Sequence, residues 1–120
     1  MAVSDNIKRG TIELLILTLL SSCDMYGYEL VQEIKERSNG LYTMQESSLY
    51  PSLYRLLDKG LISDRQEKVG KRRMRVYYHI EDTGRAYLTE IRKEYLALLR
   101  GVLSILNINS LEEMVDEEHE

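Results

Sequence analysis

The chain has 120 residues, 43% hydrophobic and 30% charged, which describes one globular domain with an appendage and excludes a disordered or membrane-embedded chain. Its formal charge of −4 is unevenly spread: residues 1–80 hold twelve Lys/Arg against ten Asp/Glu, and residues 81–120 hold four against ten. Between Arg65 and Arg75 there are six basic residues against one acidic, so the total excludes nothing about polyanions, because local charge governs such encounters.

The longest apolar stretch, Leu14 to Leu20, is too short to span a bilayer. The polar segment Ser21 to Glu29 follows it where a signal peptide would carry small cleavage-site residues. Cys23 is the single cysteine and cannot close an internal disulfide, so the expectation is a buried or half-buried thiol in the reducing cytoplasm.

Ile12, Leu15, Ile16, Leu19 and Leu20 recur at helical spacing and predict a first helix over Lys8 to Ser21. Leu14 and Leu17 lie on its other side, which implies cover on more than one face. Asp24 can cap a second helix carrying Leu30, Val31 and Ile34, which Asn39-Gly40 ends. In the third segment Leu49, Leu53, Leu56 and Leu57 share one face and Gly60 stops the run. Pro51 is tolerated only in the first turn, so Ser47 or Ser48 is the expected N-cap.

After Gly60 the period shortens. Met74, Val76, Tyr78 and Ile80 alternate with Arg73, Arg75, Tyr77 and His79, the pattern of a strand with one apolar face. Ile62 to Lys68 is a weaker strand candidate, and a basic turn over Val69 to Arg72 would join the two as a hairpin. Glu81 to Gly84 then opens a long helix in which Leu88, Ile91, Tyr95, Leu98, Val102 and Ile105 alternate three- and four-residue steps. That is the seam one helix shows another in a coiled-coil contact. It either packs on the first helix of its own chain or meets a second copy. Too little chain is available to cover it, which favours the second copy. Gly101 would mark a kink or a close helix crossing, and Ser110 with Glu113 fits a capping box in a short terminal turn.

The expected fold is therefore mainly α with a small β-hairpin: a winged helix-turn-helix over residues 1–81, a dimerisation helix over 82–109 and an acidic tail over 110–120. In such a fold the third helix enters the major groove of DNA and the hairpin wing reaches the flank. Away from its leucines the third helix carries Ser47, Ser48, Pro51, Arg55 and Asp58, with Ser52 and Tyr54 at the flanks. Small hydroxyls allow close approach, and Arg55 can reach a phosphate or a guanine edge. Lys71, Arg72, Arg73 and Arg75 on the wing are either a solvated hairpin tip or phosphate contacts. The helix preceding them favours contact. Tyr50 and Tyr54 suit core support as well as phosphate contact.

Four blocks carry a resemblance: GTIELLILTLL at Gly10 to Leu20, YGYEL at Tyr26 to Leu30, SSLYPSLYRLLDKGLI at Ser47 to Ile62, and GKRRMRVYYHIEDTG at Gly70 to Gly84. In order and spacing the chain resembles the PadR family of bacterial transcription regulators, from about Ile7 to Tyr95, in its short-tailed branch. The resemblance implies a dimeric winged-helix repressor of double-stranded, pseudo-palindromic operator DNA, released in some members by a small aromatic effector. It places the recognition motif on Ser47, Ser48, Leu49, Tyr50 and Pro51 and the basic wing on Lys71, Arg72 and Arg73. Glu81 stands where a capping threonine is expected, which hands that role to Asp82. The expected dimer contacts are Leu15, Leu19, Leu88, Ile91, Tyr95, Leu98, Leu99, Val102 and Leu106. Tyr95 also lies near the position where multidrug-responsive relatives stack drugs on an aromatic, often Trp, so it is the candidate effector contact.

No cofactor or metal is expected, since His79 and His119 lack the cysteine or histidine partners of a closed site. Nor is an enzyme, because no nucleophile–base pair or glycine-rich phosphate loop is present. The alternative is a winged-helix adaptor that turns the hairpin to an acidic protein, although an adaptor more often exposes an apolar patch on its third helix.

Overall fold

The apolar run Ile12–Leu20 forms α1, with Ile16, Leu17, Leu19 and Leu20 buried over more than one face, as the pattern predicts. The computed structural model describes residues 10–110 and 112–114. The expected start of α1 at Lys8 and the acidic tail from residue 115, His119 included, lie outside the described residues. After α1 come β1 (Met25–Tyr26), α2 (Gly27–Arg37), a 3₁₀ turn (Glu46–Ser48), α3 (Tyr50–Asp58), β2 (Ile62–Val69), β3 (Arg73–Ile80) and α4 (Asp82–Ile105).

Fully buried leucines and isoleucines from α1, α2, α3 and β3 (Leu17, Leu20, Leu30, Leu53, Leu56 and Ile80) make the core. Each such side chain contributes about 1.5–3 kcal/mol relative to exposure. α2 ends as expected: Asn39 and Gly40 are left-handed (φ 55° and 80°) and the Gly40 N–H reaches the Lys35 carbonyl at 2.8 Å. Its start differs from expectation. Asp24 does not cap it, because Met25 and Tyr26 are drawn into the sheet; Tyr26 is the N-cap, and its N–H donates to Glu29 Oε1 at 3.3 Å.

The sheet order is β1-β3-β2, all antiparallel, so the expected two-stranded wing gains a third strand at its base. β2 and β3 pair from Ile62↔Ile80 to Val69↔Arg73, leaving Gly70, Lys71 and Arg72 as the turn. Gly70, the first of the three, takes φ +78°, a conformation that glycine adopts without steric cost. β1 reaches only Tyr77 and Tyr78, so the edge of β3 from Arg73 to Val76 is not covered by β1. The outer half of the hairpin, Asp64 to Met74, has no buried residue. Met74, predicted on the apolar face, is 55% exposed because the hairpin runs past the end of the core.

α3 begins without a side-chain cap, contrary to the role expected of Ser47 or Ser48. The 3₁₀ turn feeds directly into it, with the Ser48 and Leu49 N–H groups bonded to the Gln45 and Glu46 carbonyls. Pro51 falls in its first turn as predicted. At the start of α4, Glu81 rather than Asp82 takes the capping position: its carbonyl accepts from the Arg85 N–H, and its carboxylate accepts from Ser63 Oγ at 2.6 Å.

The chain divides into two units, residues 1–88 and 89–120. In the second, α4 runs through Gly101 to Ile105, and a β-carbon at Gly101 would meet nothing within 4 Å. The helix closes at left-handed Asn107 (φ 65°), with the Ile108 N–H on the Leu103 carbonyl. A helical turn at 112–114 follows. Ser110 Oγ accepts from the Glu113 N–H, while the Glu113 carboxylate accepts from the Asn109 N–H instead of closing the predicted box. Cys23 lies between α1 and β1 and is exposed, not buried as expected.

Candidate nucleic-acid interface

α3 turns its leucines inward and leaves Ser47, Ser48, Pro51, Tyr54, Arg55 and Asp58 exposed along the outer surface of the helix and the turn before it. Ser52 departs from expectation. It is only 3% exposed, one residue from Leu53 on the inner side, and its Oγ accepts from Arg55 Nη2 at 2.9 Å, so it is not presented outward. Arg55 also lies 3.5 Å from Glu13 of α1, measured from Nε. Its guanidinium is therefore held by the protein as well as open to solvent. Tyr50 faces back toward α2. Its hydroxyl donates to Glu46 Oε2 at 2.6 Å, and that bond, with burial, pushes the phenol well above its ordinary range. Its half-buried position makes it a support for the helix start rather than an outward group.

On the wing, Lys71, Arg72 and Arg73 are exposed at and beside the turn. Arg75 is half-buried, its guanidinium 4.3 Å from the Tyr26 ring centroid. The Tyr26 ring meets Tyr77 edge-on at 5.5 Å, and Arg65 lies 5.2 Å over Tyr77. Asp24, freed from the capping role, accepts instead from Arg65 and from His79 Nδ1 at 2.8 Å. Burial acts upward on its carboxyl, but the hydrogen bonds and charges of His79 and Arg65 outweigh it and hold the group below the ordinary carboxylate value.

These pairings sort the basic cluster. Arg65 is committed to Asp24 and Glu67, and His79 to Asp24. Among the described residues, Lys68, Lys71, Arg72 and Arg73 form no ion pair. Lys68 is not among the expected contacts, although it belongs to the same basic cluster in the sequence. The β2–β3 register, which sets it opposite Met74, places it with the others.

The expected dimer contacts divide as well. Leu19 is only 4% exposed within its own chain, so it is a core residue rather than a free contact. Leu15 is half-buried and lines an open pocket of about 250 Å³ with Leu19, Ile34 and Tyr42. On α4, Leu98 is 67% exposed, Val102 is also exposed, and Leu88, Ile91, Tyr95 and Leu99 are half-buried; Leu106, one residue past the helix end, is exposed. Among the described residues no group of three or more His, Cys, Asp or Glu is arranged to hold a metal, and no helix is long and apolar enough to cross a membrane.

Three helices, a strand-capped wing and an exposed basic tip define a winged helix-turn-helix protein. A family model, the transcriptional regulator PadR-like family, matches residues 16–90, and the chain belongs to that family. An uncharacterized protein of Lysinibacillus sphaericus is 39% identical over 93 residues, 78% of this chain and 85% of that protein. The solved structure of a transcriptional regulator from Clostridium thermocellum, Cth-833, superposes with a TM-score of 0.73 at 31% identity, over 86% of this chain and 96% of the other. Bacillus subtilis PadR, solved in complex with operator DNA, matches with a TM-score of 0.62 at 28% identity, over 67% of this chain but only 46% of PadR.

Proposed function

We propose that the protein is a cytoplasmic, homodimeric repressor of transcription that binds a pseudo-palindromic operator and is released by a small aromatic effector. The observation that carries the DNA-binding part is the basic tip, Lys68, Lys71, Arg72 and Arg73, which forms no ion pair among the described residues and stands on the same winged domain as the serine-lined outer surface of α3. A hairpin with no buried residue over its outer half has no core role to explain four uncompensated cations. The relation to Bacillus subtilis PadR, solved with operator DNA, supports the polyanion as DNA. In this reading α3 lies in the major groove and the wing grips the adjacent phosphates. The exposed leucine and valine seam of α4 meets a second copy, and Tyr95 is the candidate effector contact.

The test is titration against the duplex upstream of the protein's own gene, beside a scrambled duplex of equal length. Selective binding supports a regulator of its own region. Binding of equal strength to both leaves the wing as a non-specific polyanion contact. The absence of any binding by a folded dimer would transfer the wing to a protein partner.

A further inference from the structure

Tyr26, Gly27, Tyr50, Tyr54 and Tyr78 line an open cleft of about 400 Å³ between the start of α3 and the uncovered edge of β3. Glu46 and Asp64 supply its carboxylates, and among the described residues that line it Arg75 is the one cationic side chain. The volume lies within the range of small-molecule sites. Its aromatic walls are held in place. The Tyr50 and Tyr54 rings are 6.1 Å apart and inclined by 30°, and the Tyr50 hydroxyl is fixed on Glu46. Gly27 makes room for that hydroxyl, since a β-carbon there would stand 2.9 Å from it. Tyr78 is buried at the base, and burial together with the nearby Tyr54, Asp64 and Glu46 raises its phenol.

The charge of the lining selects the ligand. Among the described lining residues two carboxylates stand against the Arg75 guanidinium, which already rests on Tyr26, a cation on an aromatic face within the cleft itself. Arg73 lines the adjoining cleft that shares Tyr26 and Glu46. Among the described residues neither Glu46 nor Asp64 forms an ion pair. Tyrosine faces beside uncompensated carboxylates attract a weakly hydrated cation through the ring quadrupole and through charge. We propose that this cleft binds a small organic cation with a quaternary ammonium or cationic aromatic head. The cleft shares no residue with the proposed effector contact, Tyr95, and carries the opposite charge preference to the wing tip.

The experiment uses the full chain without DNA, with its nine tyrosines ring-labelled for NMR, and benzyltrimethylammonium as the probe beside 3-phenylpropanoate as an anion of similar size. Saturable shifts of the Tyr26, Tyr50, Tyr54 and Tyr78 rings by the cation alone are expected. Glu46→Gln with Asp64→Asn should weaken that binding about fivefold or more, the scale of a single cation–π or surface charge contact. Tyr54→Leu, at an exposed position, should weaken it while leaving the thermal midpoint in place. The proposal is overturned by shifts confined to Tyr95, by tighter binding of the anion, by equal binding in the charge variants, or by no saturable binding.

Discussion

Gly84 presses against the carbonyl of Leu61 so closely that a β-carbon there would overlap the oxygen and stand 2.8 Å from Ile80 Cγ1. The same strand end is bonded beside it, with the Glu81 N–H on the Leu61 carbonyl and Thr83 Oγ1 on the Gly60 carbonyl at 2.6 Å. The first turn of α4 is thus seated directly on the residues that link α3 to the wing.

Gly84→Ala should therefore destabilise the fold despite alanine's higher helix propensity. Overpacking against backbone costs about 1–3 kcal/mol or more, against roughly 1 kcal/mol gained in propensity. A net loss of about 2 kcal/mol in urea unfolding is expected. A stability equal to wild type would mean that the helix start shifts freely from Leu61.

Glu13 restrains Arg55, and Glu13→Gln should release it toward phosphate. The pair is partly exposed, Arg55 at 53% and Glu13 at 25%, and such a pair contributes about 0–1 kcal/mol. Binding to a scrambled duplex should tighten by at most about fivefold, with the salt slope steeper by about 0.9 per subunit. Adding Arg55→Ala should reverse both changes. Identical titrations for wild type and Glu13→Gln would show that the pair does not hold Arg55 back.

Asp24 ties β1 to β2 and β3 through Arg65 and His79, and its carboxyl is held below the ordinary value of 3.8. A depressed folded value makes the charged form stabilising. The contribution is complete above pH 3.8 and is lost as pH falls through the lower, folded value. Asp24→Asn should lower the urea midpoint near neutral pH and match wild type in strong acid. A difference that persists in strong acid would assign the loss to packing instead.

Leu98 is 67% exposed on the α4 seam. If that seam joins two copies, Leu98→Asp places a charge in a desolvated contact and should yield monomers at concentrations where wild type is dimeric by sedimentation. A variant that sediments as wild type does would remove Leu98 from the interface.

Much of the fold is legible in the sequence because helix period, strand alternation and Gly/Pro punctuation act locally. α1, the Asn39-Gly40 stop, Pro51 in the first turn of α3 and the long last helix all follow from such signals. The misses are tertiary. β1 is two residues long, too short for any period, and exists only because Met25 and Tyr26 pair with β3. That pairing removes Asp24 from the helix start and gives it to Arg65 and His79. Ser52 has a polar side chain beside inward leucines, and only the partner Arg55 explains its burial. Leu19 lies on the same helical stripe as Leu15, and spacing cannot tell which one the core covers. For the wing, the charge cluster is visible in sequence, but the division between committed Arg65 and unpaired Lys68, Lys71, Arg72 and Arg73 needs the strand register.

The most direct measurement is the dependence of log K on log salt for one duplex, taken for wild type and for Lys71/Arg72/Arg73→Ala. With about three phosphate contacts per subunit, a dimer should show a slope near −5, and the variant should lose most of it. Parallel slopes for the two proteins, or a wild-type slope near zero, would contradict a wing that grips the DNA backbone.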